Sequence, residues 1–165
     1  MSQQPVQQTT KKQSGLNSVL VALGPEDEER VTRLAEEAID IAGPAGATVV
    51  ITHVFTRDEF DSRADALGFD REMSEVNADD VAVRYSPVRA LTAKLDEAGV
   101  DYEVRGAVGH YGEQVVDIAD ELDTDLVLVG GRKRSPTGKA VFGSVAQEIM
   151  LSAPCPVTFV RGDTK

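Results

Sequence analysis

Leu126-Val127-Leu128-Val129-Gly130-Gly131-Arg132-Lys133-Arg134-Ser135-Pro136-Thr137-Gly138-Lys139-Ala140-Val141-Phe142-Gly143-Ser144-Val145-Ala146-Gln147-Glu148-Ile149-Met150 is the stretch around which the rest of the chain is organised. Four consecutive apolar residues, Leu126 to Val129, running into a Gly pair read as a fully buried parallel strand that ends at a turn. A loop with Arg132, Lys133, Arg134 and Lys139 follows, and helical spacing resumes after Gly143-Ser144. Ser144 stands where an N-cap is expected, its hydroxyl able to accept from amides two or three residues on. In an open α/β sheet the crevice lies outside the carboxyl ends of the strands. A helix N-terminus there offers unpaired amides and the positive end of its dipole, which attract phosphate.

The charge distribution points the same way. The chain has a net charge of −11, yet four of its 17 basic side chains fall within the eight residues Arg132–Lys139. Cations concentrated against an acidic background focus the field on one place and favour an anionic ligand there. Two common phosphate motifs are absent. A Walker A loop needs glycine at Lys133 and Ser or Thr at Ala140. The dinucleotide fingerprint needs Gly-x-Gly-x-x-Gly, whereas Gly106, Gly109 and Gly112 are spaced by threes.

Outward from this stretch, strands and helices alternate. Residues 1–15 hold five Gln and no apolar periodicity and read as a disordered tail before a single domain over 16–165. Leu16–Leu23 is a short buried strand ending at Gly24-Pro25. Pro25 followed by Glu26, Asp27, Glu28 and Glu29 makes a favourable helix start, with anions at the positive dipole end. Val31, Leu34, Ala35, Ala38, Ile39 and Ala42 continue this helix, which is expected to stop at Gly43-Pro44. Ala47–Phe55 is the second strand, and the acidic segment 56–80 reads as a variable connection with room for a short helix. Val83, Val88, Leu91, Leu95 and Ala98 form one helical stripe, closed by Gly99. Tyr102–Val108 alternates as an edge strand does. Gly109-His110-Tyr111-Gly112 reads as a turn, with His110 and Tyr111 exposed to water in the favoured reading and bordering a ligand crevice in the alternative, leading to a helix with Val115, Val116, Ile118, Ala119 and Leu122 inward. After the fourth strand, Val145, Ala146, Ile149 and Met150 mark the buried side of the last helix, and Val157–Val160 is the fifth strand. This order predicts an α/β, doubly wound parallel sheet with helices on both faces.

Gly130, Lys133 and Gly143-Ser144 stand at the spacing of a Gly-x2-Gly-x9-Gly-Ser/Thr signature, with Lys133 in place of the second glycine. In this motif and in element order from Ser18 to Arg161 the chain resembles the universal stress protein family. The resemblance implies a five-stranded sheet of order 3-2-1-4-5, with the switch point between strands one and four. It also implies an adenine nucleotide, ATP with or without Mg2+, as ligand. Val54, next to His53, then lies near the adenine, Val129 belongs to the binding site, Gly130 lets the backbone approach sugar and phosphates, and Gly143, Ser144 and Val145 hold the phosphates by their amides. Arg132 and Lys133 add charge. The family usually carries an Asp at the end of strand one, and here that position is Gly24. His53 is expected to be a half-buried structural residue. A homodimer through the free edge of strand five is the implied partner arrangement.

Composition narrows the alternatives. Cys155 is the only cysteine, which leaves no internal disulfide, and with His53 and His110 as the only histidines a zinc cluster is not expected. No nucleophile with a matching base is visible, so the expectation is a binding protein with slow ATP hydrolysis at most. An overall negative charge argues against a nucleic-acid partner. No apolar run has the length of a membrane span and no secretory core precedes the first strand, which gives a cytoplasmic expectation without membrane contact. The acidity, with 11 Arg against 6 Lys, fits a salt-rich cytoplasm of the halophilic archaeal kind. The competing reading is a dimeric stress-response interaction module that does not bind nucleotide, favoured by Gly24 and Lys133.

Overall fold

The computed structural model describes residues 15–24, 27–68, 77–131 and 143–161. β1 (Ser18–Ala22), β2 (Thr48–Phe55), β3 (Tyr102–Val108), β4 (Leu126–Gly131) and β5 (Val157–Arg161) form one sheet in the order β3-β2-β1-β4-β5, and every pairing is parallel. The expected architecture is present. Between the strands run α1 (Val31–Ala45), preceded by a 3-10 turn at Glu28–Arg30, then α2 (Arg57–Ala66), α3 (Ala78–Val83), α4 (Ser86–Ala98), α5 (Tyr111–Glu121) and α6 (Ser144–Ser152).

The central strands are apolar on both faces because both faces are covered. Val19 and Val21 point to one side and pack with Leu34, Ala35 and Ala38 of α1 and Leu91 and Leu95 of α4. Leu20 and Ala22 point to the other and meet Val115, Ile118 and Ala119 of α5 and Ala146 and Ile149 of α6. Burying Leu- and Val-sized side chains is worth about 1.5–3 kcal/mol each, so this two-sided core sets the register of β1 and β4. Asp125 ties the amino ends of the same two strands together, its Oδ2 accepting from the backbone of Asn17 (2.7 Å) and Ser18 (3.0 Å).

Several element bounds differ from expectation. α1 passes through Gly43-Pro44 and ends only at Gly46, whose left-handed backbone (φ 68°) reverses the chain while its N–H reaches the Gly43 carbonyl. Proline already holds a helical φ, so in a last turn it removes one donor without stopping the helix. Val83 does not belong to the stripe of α4. It ends α3 and is 47% exposed, while α4 begins anew with Pro87 in its first turn. The connection after β2 holds α2, which starts with a capping box in which Thr56 and Glu59 exchange hydrogen bonds. The Gly pair forms the last two residues of β4, Gly130 paired with Val160 and Gly131 with Arg161. A side chain on Gly131 would begin 1.7 Å from the Phe159 ring, so the missing Cβ is what lets that ring lie across the strand.

β3 forms one edge of the sheet, and α3 lies against it. The Gly106 amide donates to Asp79 Oδ1 (2.7 Å), and a side chain on Gly106 would begin 2.2 Å from the Ala78 carbonyl. Among the described residues no helix is long and apolar enough to cross a membrane, and no group of three or more His, Cys, Asp or Glu could hold a metal ion.

Candidate functional site

β1 and β4 are neighbours whose following chains leave on opposite sides, and a crevice of about 470 Å³ opens above their carboxyl ends. Such a volume lies within the range of small-molecule sites. Val54, Val129, Gly130, Gly143, Ser144 and Val145 all line it. Arg132 and Lys133, like the rest of the cationic loop, lie outside the described residues.

The helix-side wall is the start of α6. Ser144 is not its N-cap. Gly143 occupies that position with an extended backbone (φ −69°, ψ 162°) and accepts from the Gln147 amide, and exposed Ser144 is the first helical residue. That extended cap conformation is open to any residue, and the helix takes its cap at Gly143, one residue earlier than the Ser144 hydroxyl suggests. Having no side chain, Gly143 caps none of the first-turn amides, and these end at the crevice.

The strand-side wall is built differently. Asp27, read in sequence as a helix-start acid, lines the crevice, and so does Arg30, which the sequence reading did not single out. The Asp27 carboxylate is buried. Its Oδ2 accepts from the Gly24 amide at 2.7 Å and its Oδ1 pairs with Arg30 Nη1, with the two side chains only 7% and 13% exposed. This carboxylate lies above two glycines. A side chain on Gly24 would begin 3.3 Å from Asp27 Oδ2, and one on Gly130 would begin 2.7 Å from Asp27 Oδ1 and 3.3 Å from Arg30 Cδ. Gly24 and Gly130 thus leave room for a charged pair that folds back over the strand ends. Nothing in a run of four acids singles out Asp27; only the turn before α1, where its carbonyl accepts from the Arg30 amide, aims it inward.

His53 supports this wall from below. It is fully buried rather than half-buried, with Nδ1 2.7 Å from the Leu23 carbonyl, its ring against Tyr85 and edge-on to Phe55. A carbonyl only accepts, so Nδ1 carries the proton of a neutral imidazole. Burial lowers the His53 pKa, and the bond to Leu23 partly opposes that. Holding Leu23 holds the turn at Gly24, so His53 serves structure.

For Tyr111 the structure follows the alternative reading, at the crevice. It opens α5 and lines the crevice instead of standing in water, and its hydroxyl is buried with no hydrogen-bond partner among the described residues. A side chain on Gly24 would begin 3.5 Å from that hydroxyl. Burial first, then the Asp27 charge and Tyr85, push the phenol well above its usual pKa. His110 does reach water, and its Nε2 lies 3.0 Å from Glu148 Oε1, linking the start of α5 to α6 across the crevice mouth. Thr56 and Glu59, from the α2 capping box, complete the rim beside Val54.

Chemically the site offers backbone amides at one side, a charged pair at the other and apolar Val54, Val129 and Ile149 between them. A model of the universal stress protein family matches residues 15–161. The chain belongs to the universal stress protein family. A universal stress protein of Mycolicibacterium smegmatis is 38% identical over 79 residues, covering 47% of this chain and 61% of that relative. Among solved structures, a universal stress protein in complex with cAMP superposes with a TM-score of 0.61 at 20% identity, covering 91% of this chain and 100% of that one. A family member from Arabidopsis thaliana with AMP bound gives a TM-score of 0.59 at 13% identity, covering 90% and 93%. At these identities the two structures speak for the fold.

Proposed function

We propose that this universal stress protein is a regulatory protein that binds an adenine nucleotide, ATP, at the switch point between β1 and β4 and does not turn it over. The observation that carries the reading is the uncapped start of α6 facing a crevice lined by Gly24, Gly130 and Gly143, where backbone amides meet space of ligand size. That relatives of the same fold hold cAMP and AMP supports the ligand class. In this reading Val54 and Val129 flank the base, Gly130 admits the sugar, and the amides of Gly143, Ser144 and Val145 receive phosphate oxygens. Arg132 and Lys133 supply further positive charge, and Mg2+ accompanies the phosphates where ATP is the ligand. The assembly we propose is a cytoplasmic homodimer through β5, with an acidic surface suited to high salt.

Titration of ATP into the purified protein, read by calorimetry, tests the site. Binding by the native chain and its loss in the Gly143→Val/Ser144→Ala variant are expected; equal affinity in the two rules the α6 amides out. The second reading, a dimeric interaction module without nucleotide, is favoured by the occupation of the space above Gly24 by Asp27. Adenine absorbance that never co-elutes with the protein, together with no ATP binding, would establish it.

A further inference from the structure

Within the nucleotide-binding reading, on which this inference rests, we propose that the Tyr111 hydroxyl is a ligand contact, donating a hydrogen bond to an acceptor atom of the base. Three observations carry it. The hydroxyl is buried and has no hydrogen-bond partner among the described residues, although Tyr111 lines the crevice. Its ring packs on the apolar cluster that contains Ala22, Val54 and Val129, all three of which line the crevice where that reading seats the base. The hydroxyl is also aimed at the end of β1, since a side chain on Gly24 would begin 3.5 Å from the oxygen and 3.7 Å from the ring carbon that bears it. Gly24 stands beside Val54, because Ala22 pairs with Thr52 and the Leu23 amide donates to the Thr52 carbonyl at 2.9 Å.

Packing alone does not account for the oxygen. A phenylalanine would fill the same space, and a buried hydroxyl that forms no bond costs the folded state free energy. Burial keeps the phenol protonated at neutral pH, so it has one O–H to give. A donor already withdrawn from water gives up no hydration when a ligand acceptor reaches it, and the bond then counts in full toward the bound state. Because the contact lies at the base, apart from the α6 amides, it serves a nucleoside whatever its number of phosphates. Thr52 and Thr124 also carry buried hydroxyls without a partner among the described residues, but neither lines the crevice, so neither has a ligand to meet.

The test compares Tyr111→Phe with Thr124→Val, each titrated with adenosine, AMP and ATP by calorimetry and melted without ligand. Tyr111→Phe keeps the ring and is expected to melt higher than the native chain, yet to weaken every one of these ligands that the native chain binds by one common factor. That factor is about two- to tenfold, the range of a single hydrogen bond. Thr124→Val is expected to melt higher as well, with affinities unchanged. A Tyr111→Phe variant that binds as tightly as the native chain, a loss that grows with the number of phosphates, or an equal loss in Thr124→Val overturns the inference and leaves the nucleotide reading standing. So does a fall in the melting temperature of Tyr111→Phe, which would mean that the hydroxyl is already bonded in the free protein. A native chain that binds none of the three ligands overturns both.

Discussion

The two walls of the crevice are made in opposite ways. On the strand side each glycine exists because something else fills its space, with Asp27 above Gly24 and Gly130 and the Arg30 stem above Gly130. On the helix side no described atom lies within 4 Å of where a Gly143 side chain would begin, and the amides behind it have no side-chain cap. One wall is completed by the protein itself; the other is left for something to complete. Glycine therefore carries two different meanings within one site, and substitution separates them.

The strand wall should break first. Gly130→Val must displace the Asp27 carboxylate from its pair, and breaking a buried pair costs about 3–5 kcal/mol. A large drop in melting temperature is expected, with loss of nucleotide binding; a variant as stable as the native chain would mean Asp27 is not held where it is seen. Acid should act on the same wall through His53. Its folded pKa lies below the unfolded value of 6.5, so its contribution is complete above that pH and is lost as pH falls toward the folded value. The slope over that window is at most about 1.4 kcal/mol per pH unit for one proton. Urea unfolding between pH 7 and pH 5 checks it, and His53→Gln should flatten the profile.

Tyr111 sharpens the contrast at smaller scale. A buried hydroxyl without a partner costs about 1–3 kcal/mol, so Tyr111→Phe should raise thermal stability of the ligand-free protein while keeping the ring against the crevice. A fall in melting temperature would show that the hydroxyl is bonded. The smallest effect is expected on the open wall. Gly143→Ser supplies a capping oxygen to α6 and should stabilise by a few tenths of a kcal/mol, yet weaken ATP, because the new hydroxyl takes an amide the phosphate uses. Tighter ATP binding in this variant would contradict the assignment of those amides.

Much of the fold was legible because burial on both faces leaves a plain mark. Val19–Leu23 and Leu126–Val129 are uninterrupted apolar runs, and Leu34, Ala38 and Leu91, Leu95 recur at helical spacing. The bounds were less legible where one residue type serves two conformations, as at Pro44 and at the Gly143-Ser144 cap. On its helix side the residues singled out in sequence, Gly143, Ser144 and Val145, do line the crevice, with the cap at Gly143 instead of Ser144. On its strand side Asp27, Arg30 and Tyr111 come together only through folding. Their neighbours in sequence, an acidic run and a turn, give each a sufficient surface explanation, so nothing local distinguishes an inward side chain from an outward one.

The Asp79 carboxylate on the Gly106 amide has a consequence for how copies of this protein can join. A sheet with two receptive borders can add neighbours without limit and grow into a ribbon. Here a strand arriving at β3 would have to evict Asp79 and push aside the first turn of α3, so growth from that border is blocked. In the homodimer proposed above, joining through β5 uses up the other border of each molecule, and assembly by strand addition closes at two.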